Sequence, residues 1–112
     1  MKGKVVLIRF PFDDLSSIKV RPAVCLTNAI GTNQHIIFAL VTSPISVNLL
    51  DTDIIIDSTN PDFTSSGLHQ ASIIRLDHLI TLRKSIILRE LGIFSENTQK
   101  LIAEKLCNLL NN

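Results

Sequence analysis

Val20-Arg21-Pro22-Ala23-Val24-Cys25-Leu26 and, downstream, Ala39-Leu40-Val41-Thr42-Ser43 decide how this chain folds. Proline has no amide hydrogen and suits the first residue of a strand, which predicts a strand from Pro22 to Asn28 with Arg21 at its mouth. Ile36 to Thr42 is apolar until its last residue and reads as a second strand, stopped by Pro44. The seven residues between them, Ala29-Ile30-Gly31-Thr32-Asn33-Gln34-His35, are mostly polar and contain a glycine, as a hairpin loop would. With Asn28 set against Ile36, antiparallel pairing brings Arg21 opposite Ser43 and next to Thr42, paired Cα atoms being roughly 5 Å apart. A guanidinium and hydroxyls thus meet at one end of an otherwise apolar hairpin, and that end is the candidate site.

Upstream, Val5-Val6-Leu7-Ile8-Arg9-Phe10 is a strand that is apolar on both faces except at Arg9, and Pro11 ends it. Phe12 to Lys19 belongs to a connection of about ten residues, long for a hairpin and therefore a candidate for function. Phe12 suits either stacking on a nucleobase or plugging the end of a barrel. Downstream, Ile45 to Thr52 is turn-rich and Asp53-Ile54-Ile55-Ile56 is a short strand. Asp57 to Gly67 is the most loop-like stretch, its Ser and Thr hydroxyls read as turn-formers bonded to nearby backbone. Ser72-Ile73-Ile74-Arg75-Leu76-Asp77 is a strand whose period of two places Arg75 and Asp77 on one face, Ile74 and Leu76 on the other. Leu79 to Leu82 and Ile86 to Leu88 are short strands or turns around a tight Lys84-Ser85 connection. Ser95 caps a final helix, with Glu96 in its first turn and Leu101, Ile102, Leu106, Leu109 and Leu110 as its apolar stripe. Short strands followed by one amphipathic helix make a mainly-β chain, a small bent antiparallel sheet or barrel with the helix beside it.

The 112 residues suit one domain, residues 1–112, and 46% hydrophobic with 19% charged residues is a globular balance. No apolar stretch approaches the ~20 residues of a membrane span. No cleavable leader is evident, so no membrane association and a cytoplasmic location are expected. Cys25 falls in a strand and Cys107 in a helix, which reads as two buried free thiols, and no metal-ligand spacing occurs. Net charge is +1, but its distribution is uneven: residues 27–74 contain no Lys or Arg, while holding Asp51, Asp53, Asp57 and Asp62. Any cationic surface must come from the two ends of the chain folding together, to grip a polyanion locally.

A glycine-rich phosphate loop, GxSxG, HExxH and CxxC are all absent. His35, His69 and His78 are not placed by spacing so that two imidazoles must converge on a phosphate. RNA cleavage needs no protein nucleophile, because the ribose 2′-OH is an internal one. It needs a base, charge stabilisation at phosphorus and a proton for the leaving oxygen. A guanidinium fits phosphate oxygens, a threonine hydroxyl bonds the same group, and a carboxylate takes the proton. On spacing alone, Arg75 and Asp77 read as an ordinary same-face ion pair. Arg21 reads equally as a solvated strand-end charge or as a phosphate ligand.

The segments Gly3, Val5-Val6-Leu7, Phe10-Pro11-Phe12-Asp13-Asp14-Leu15-Ser16, Arg21-Pro22-Ala23-Val24, Val41-Thr42-Ser43, Gly67-Leu68, Ser72 to Leu79 and Leu91-Gly92 together resemble the PemK/MazF family. The resemblance implies an SH3-like (PemK/MazF/CcdB-like) barrel, a homodimer and the toxin of a type II toxin–antitoxin pair. It implies a metal-independent endoribonuclease without cofactors that cuts single-stranded RNA (mRNA) and leaves a 2′,3′-cyclic phosphate, held in check by a cognate antitoxin. Arg21, Thr42, Arg75 and Asp77 match the family's catalytic positions, and Phe12, Lys19, Ser43 and His69 are then assigned to RNA contact. Lys4 stands where many members have an acid, a departure that bears on the groove mouth or dimer contact, and His78 stands where a lysine is common. The competing expectation is a non-enzymatic, CcdB-like toxin that poisons a topoisomerase by binding it. A peptide-binding SH3 module would need an aromatic groove, for which a chain without Trp or Tyr is poorly equipped.

Overall fold

Strands that are apolar on both faces call for a layer on each side of the sheet, and the fold supplies both. The computed structural model describes residues 1–11, 18–43 and 48–112. Strands β1 (Lys4–Pro11), β2 (Ile18–Cys25), β3 (His35–Thr42), β4 (Ile54–Ile56), β5 (Ser72–Arg83) and β6 (Ile87–Ile93) form one curled antiparallel sheet in the order β4-β5-β3-β2-β1-β6. A one-turn helix α1 (Phe63–Ser66) precedes β5, and α2 (Glu96–Asn111) closes the chain. The expected mainly-β, bent antiparallel sheet with a C-terminal helix is borne out, the sheet curling into a half-barrel. No helix among the described residues is long and apolar enough to cross a membrane.

Each run of alternating side chains feeds a different core. Val5, Val24, Ala39, Val41, Ile74 and Leu76 point to the layer that Phe94 and Ile102 complete. Val6, Ile8, Ala23, Cys25, Ile36 and Phe38 point the other way and are covered by Met1, Ile80, Leu82, Ile86 and Ile87. Burial pushes the Cys25 thiol up to about 11, which leaves it an inert packing group. Cys107, expected to be buried, is exposed on α2; both thiols are free.

Three expectations are corrected. β2 begins at Ile18, not Pro22, and Pro22 pairs with Leu7 of β1 inside the strand. It is tolerated there because the β2–β3 ladder runs only from Ala23 to Cys25, so β3 requires no N–H of residue 22. The register of that ladder, Ala23 with Leu40 and Cys25 with Phe38, differs by one residue from the expected alignment and sets Arg21 level with Thr42 instead of Ser43. At the hairpin end Ile30 bridges His35 around a turn with Gly31 and Gln34 at positive φ, two residues out of step with that ladder, so the offset arises between Leu26 and Ile30, where Thr27, Asn28 and Ala29 stand against Ile36 alone. The buried side of α2 is carried by Thr98 and Ile102, with Leu106 and Leu109 packed behind them, whereas Leu101 and Leu110 are exposed.

The sheet does not close on itself by strand pairing. The gap beside β6 is filled by α1, and Gly67 and Gly92 let the two backbones touch. A few residues away the same junction is tied by a polar chain. Asp62 Oδ2 accepts from the Ser95 N–H and from Ser95 Oγ, both at 2.8 Å, and Ser95 Oγ accepts from the Thr98 N–H at 3.4 Å as the cap of α2. The expected capping role of Ser95 is met, and the carboxylate that holds the cap lies on the preceding loop. Burial by itself would raise the Asp62 carboxyl, but hydrogen bonds from Thr98 and Ser95 outweigh it and hold it below the ordinary value. A depressed folded-state value stabilises the fold above the unfolded carboxyl's value of about 4, and this is lost as pH falls through the folded one. Asp62→Asn is therefore expected to cost about 1.5–3 kcal/mol in urea unfolding at pH 7. The deficit relative to the unsubstituted chain should shrink towards pH 3; a constant deficit would mean that the charge contributes nothing.

Candidate active site

The pairing register builds the site row by row. Val6 faces Ala23, Ala23 faces Leu40, and Leu40 faces Arg75, so these four side chains share one face of the sheet. One row further along the same strands, Ile8 faces Arg21 and Thr42 faces Ile73. Alternation therefore sets Arg21 and Thr42 on the face of Ala23, Leu40 and Arg75. Lys19, which is exposed, lies two residues further out on β2 along the same face.

Asp77, two positions after Arg75 on β5, shares this face, and an irregularity in the ladder sits there. β5 pairs with β3 from Thr42–Ile73 to Leu40–Arg75, then resumes at Ala39–Leu79, leaving Leu76, Asp77 and His78 as a bulge. Bulges of this kind re-aim side chains, and Leu76 turns into the core while Asp77 turns back on Arg75. Arg75 donates from Nε to Asp77 Oδ1 at 3.2 Å and from Nη2 to Asp77 Oδ2 at 3.3 Å. His78 Nε2 lies 3.4 Å from Asp77 Oδ2. The expected same-face pair is thus a two-pronged one, and it remains partly open: the Arg75 and Asp77 side chains are 23% and 28% exposed.

Arg75 has a second acid that the sequence reading did not single out. Asp53, next to β4 and in register with Arg75, sits with Oδ1 3.2 Å from Arg75 Nε and its side chain 1% exposed. Its other oxygen accepts the Leu50 N–H at 2.9 Å. The signal was present, since a segment with four aspartates and no Lys or Arg has to find its cation elsewhere in the chain.

Ser43 and His69 lie apart from this face. They line a cavity of about 170 Å³ with Leu7, Pro22, Gln70 and Arg89, where β2 and β3 have parted. Gln70 Nε2 donates to Ser43 Oγ at 3.0 Å and Ser72 Oγ donates to the Gln70 carbonyl at 2.8 Å. Pro22 and Ser43 are sequence neighbours of Arg21 and Thr42, so the cavity backs directly onto the arginine–threonine row. Phe12 lies outside the described residues. Lys4 is accounted for by Glu90 of β6, its Nζ 2.9 Å from Oε2. It stands four residues along β1 from Ile8, the partner of Arg21, or ~13 Å away at strand rise, and so well away from the candidate site. Among the described residues no three His, Cys, Asp or Glu side chains gather as a metal would require. The hydroxyls of the 57–67 stretch are local: Ser65 Oγ donates to the Asp62 carbonyl and Ser66 Oγ to that of Phe63.

A curled sheet of this order with a C-terminal helix is the build of known toxins. The Mycobacterium tuberculosis toxin MazF-mt6 superposes with a TM-score of 0.71 at 20% identity, covering 96% of each chain. A mycobacterial endoribonuclease solved in complex with its cognate antitoxin gives 0.72 at 16% identity, over 99% of this chain and 94% of that one. The sequence itself matches, over residues 1–110, the family of PemK-like, MazF-like toxins of type II toxin–antitoxin systems. The chain belongs to that family. No match was found among curated proteins.

Proposed function

We propose that this protein is a toxin that cleaves single-stranded RNA without a metal, through attack of the ribose 2′-OH on the adjacent phosphate. The observation that supports the reading best is the shared sheet face: Arg21, Thr42 and the Arg75–Asp77 pair within two consecutive rows of one small sheet. The assignment gives each group one task. Arg21 and Arg75 neutralise the phosphate as charge grows on it, and Thr42 bonds a phosphate oxygen. Asp77 accepts the 2′-OH proton, O2′ bonds to phosphorus, and the bond from phosphorus to O5′ breaks. A guanidinium is too weak an acid to supply the departing oxygen, so O5′ takes its proton from water. The product ends are a 2′,3′-cyclic phosphate and a free 5′-hydroxyl.

RNA follows the open face past Lys19, and a nucleotide next to the scissile phosphate enters the Ser43–His69 cavity, whose Gln70 amide and Ser43 hydroxyl offer hydrogen bonds to a base edge. The working unit is a homodimer in the cytoplasm. Its antitoxin presents an acidic segment to the same cationic face, a partnership that the antitoxin complex of the mycobacterial neighbour supports by analogy.

Purified protein incubated with a defined RNA in EDTA is expected to cut it at discrete positions, mapped by primer extension, and to leave cyclic-phosphate ends. Thr42→Val keeps the shape and deletes the hydroxyl, and is expected to slow cutting roughly 10- to 100-fold, the loss of one transition-state hydrogen bond. An intact RNA in the first assay refutes the activity; an unchanged rate in the second clears Thr42.

A further inference from the structure

We infer that Asp53 is a positioning residue for this reaction, an alternative acceptor that keeps Arg75 in place when Asp77 takes up the substrate proton. The inference rests on the reading of Asp77 as the base, and its geometry is independent of that reading. Arg75 Nε carries one hydrogen and has two carboxylate oxygens at 3.2 Å, Asp77 Oδ1 and Asp53 Oδ1. The hydrogen is aimed at Asp77. Asp53 Oδ1 is consequently buried without a hydrogen bond, although the guanidinium charge lies against it. Buried carboxylates are seldom left this way, because the interior strengthens attraction and penalises an unmet lone pair alike.

The two acids are not equivalent. Asp77 is partly open to solvent, and Arg75 on its own strand and the neighbouring His78 face it. Asp53 approaches Arg75 from the β4 side, is shut off from solvent, and is pinned by the Leu50 N–H. Leu40, on β3, faces Arg75 with an apolar side chain. In the resting protein Arg75 engages both oxygens of Asp77. When a proton moves from the 2′-OH to Asp77, the carboxyl loses its charge and becomes the poorer acceptor. A small turn of the guanidinium then passes Nε–H to Asp53 Oδ1. Arg75 stays charged and fixed beside the phosphate at the moment its charge is most needed. Without Asp53, Arg75 would follow Asp77 alone, holding it more tightly before proton transfer and losing its anchor after it.

The test combines a resonance with a rate. The Arg75 Nε–Hε signal, assigned by its loss in Arg75→Lys, is followed by proton–nitrogen NMR on the full chain without RNA. Asp77→Asn imitates the neutral acid at a partly exposed position. The signal is expected to stay protected from solvent exchange in Asp77→Asn and to exchange at least tenfold faster once Asp53→Asn is added. Equal exchange in the single and double variants overturns the inference. So does loss of protection in Asp77→Asn alone, an arm that leaves Asp53 intact and does not depend on Asp53→Asn folding. In RNA cleavage, Asp53→Asn is expected to lower kcat at least tenfold with KM within about twofold, the pattern of a contact used in the transition state. A KM effect alone, or none, overturns the catalytic half. An inactive unsubstituted protein refutes the ribonuclease reading, whereas the NMR arms decide the Asp53–Arg75 link by themselves.

Discussion

Arg21→Ala is expected to lower RNA cleavage by roughly 10³-fold, the upper range for removing one preorganised donor at a developing charge. The fold should survive. Arg21 is a half-buried residue of β2 whose neighbours on the same face, Ala23 and Cys25, carry the packing. Its ladder partner Ile8 is already fully buried. The thermal midpoint is expected to shift by no more than a few degrees, and the proposed homodimer should persist in size-exclusion chromatography. The result discriminates between two kinds of toxin on one fold. A cell poisoned by RNA breakage is rescued by Arg21→Ala, whereas a toxin that acts by gripping a topoisomerase stays lethal with its RNA intact. Lysine at the same place separates charge from shape: it restores the positive charge but not the planar fork, so a partial recovery of one to two orders of magnitude would point to two-pronged phosphate binding. Full activity in the purified alanine variant would remove Arg21 from the site.

What could be read from the chain, and what could not, follows from the distance over which each signal acts. The strand around Val5–Phe10, the Ile36–Thr42 strand and the Ser95 cap were legible because each depends on a residue pattern or one capping side chain within a few positions. The Arg75–Asp77 contact was legible for the same reason, two positions on one face. The hairpin register differs by one residue from the expected one because Thr27, Asn28 and Ala29 stand against Ile36 alone, between the β2–β3 ladder and the Ile30–His35 bridge, an irregularity that polar composition does not specify. β5 was read as separate pieces since Asp77-His78 interrupts the apolar alternation, and only the partner strand reveals that the ladder resumes at Leu79. Asp53 was passed over as the flank of an isoleucine run. Its importance comes from Arg75, 22 positions away in sequence and brought alongside only by the β4–β5 pairing. The split of Ser43 and His69 from the arginine face is likewise tertiary, a matter of where β2 and β3 diverge.

The largest stability effect is expected at Gly92, where α1 is laid against β6. A Cβ built on Gly92 would overlap the Ser65 carbonyl oxygen and crowd the backbone of Ser66, and one built on Gly67 would overlap the Leu91 carbonyl oxygen. Both obstacles are main chain, so no side chain can rotate away to make room. Gly67 adds a left-handed backbone, φ 74, as the stop of α1. To admit a methyl group at Gly92, α1 would have to lift off β6. That would pull on Asp62, one residue before α1, and through it on Ser95 and the start of α2. The half-barrel would lose the piece that covers its open side, exposing Leu91 and the cavity it lines. Overpacking against fixed backbone costs about 3 kcal/mol or more, a fall of roughly 15 °C in the thermal midpoint for a chain of this size. Gly31→Ala is the control: Gly31 shares the positive φ of Gly67, here 72, but has open space where the methyl group would go. It should cost about 1 kcal/mol, the backbone penalty alone. Equal midpoints for the two alanine variants would show that the Gly67–Gly92 contact yields easily and does not hold the sheet shut. A Gly92 variant that melts far below Gly31→Ala, yet regains cleavage on cooling, would place that contact among the features that keep the arginine face assembled.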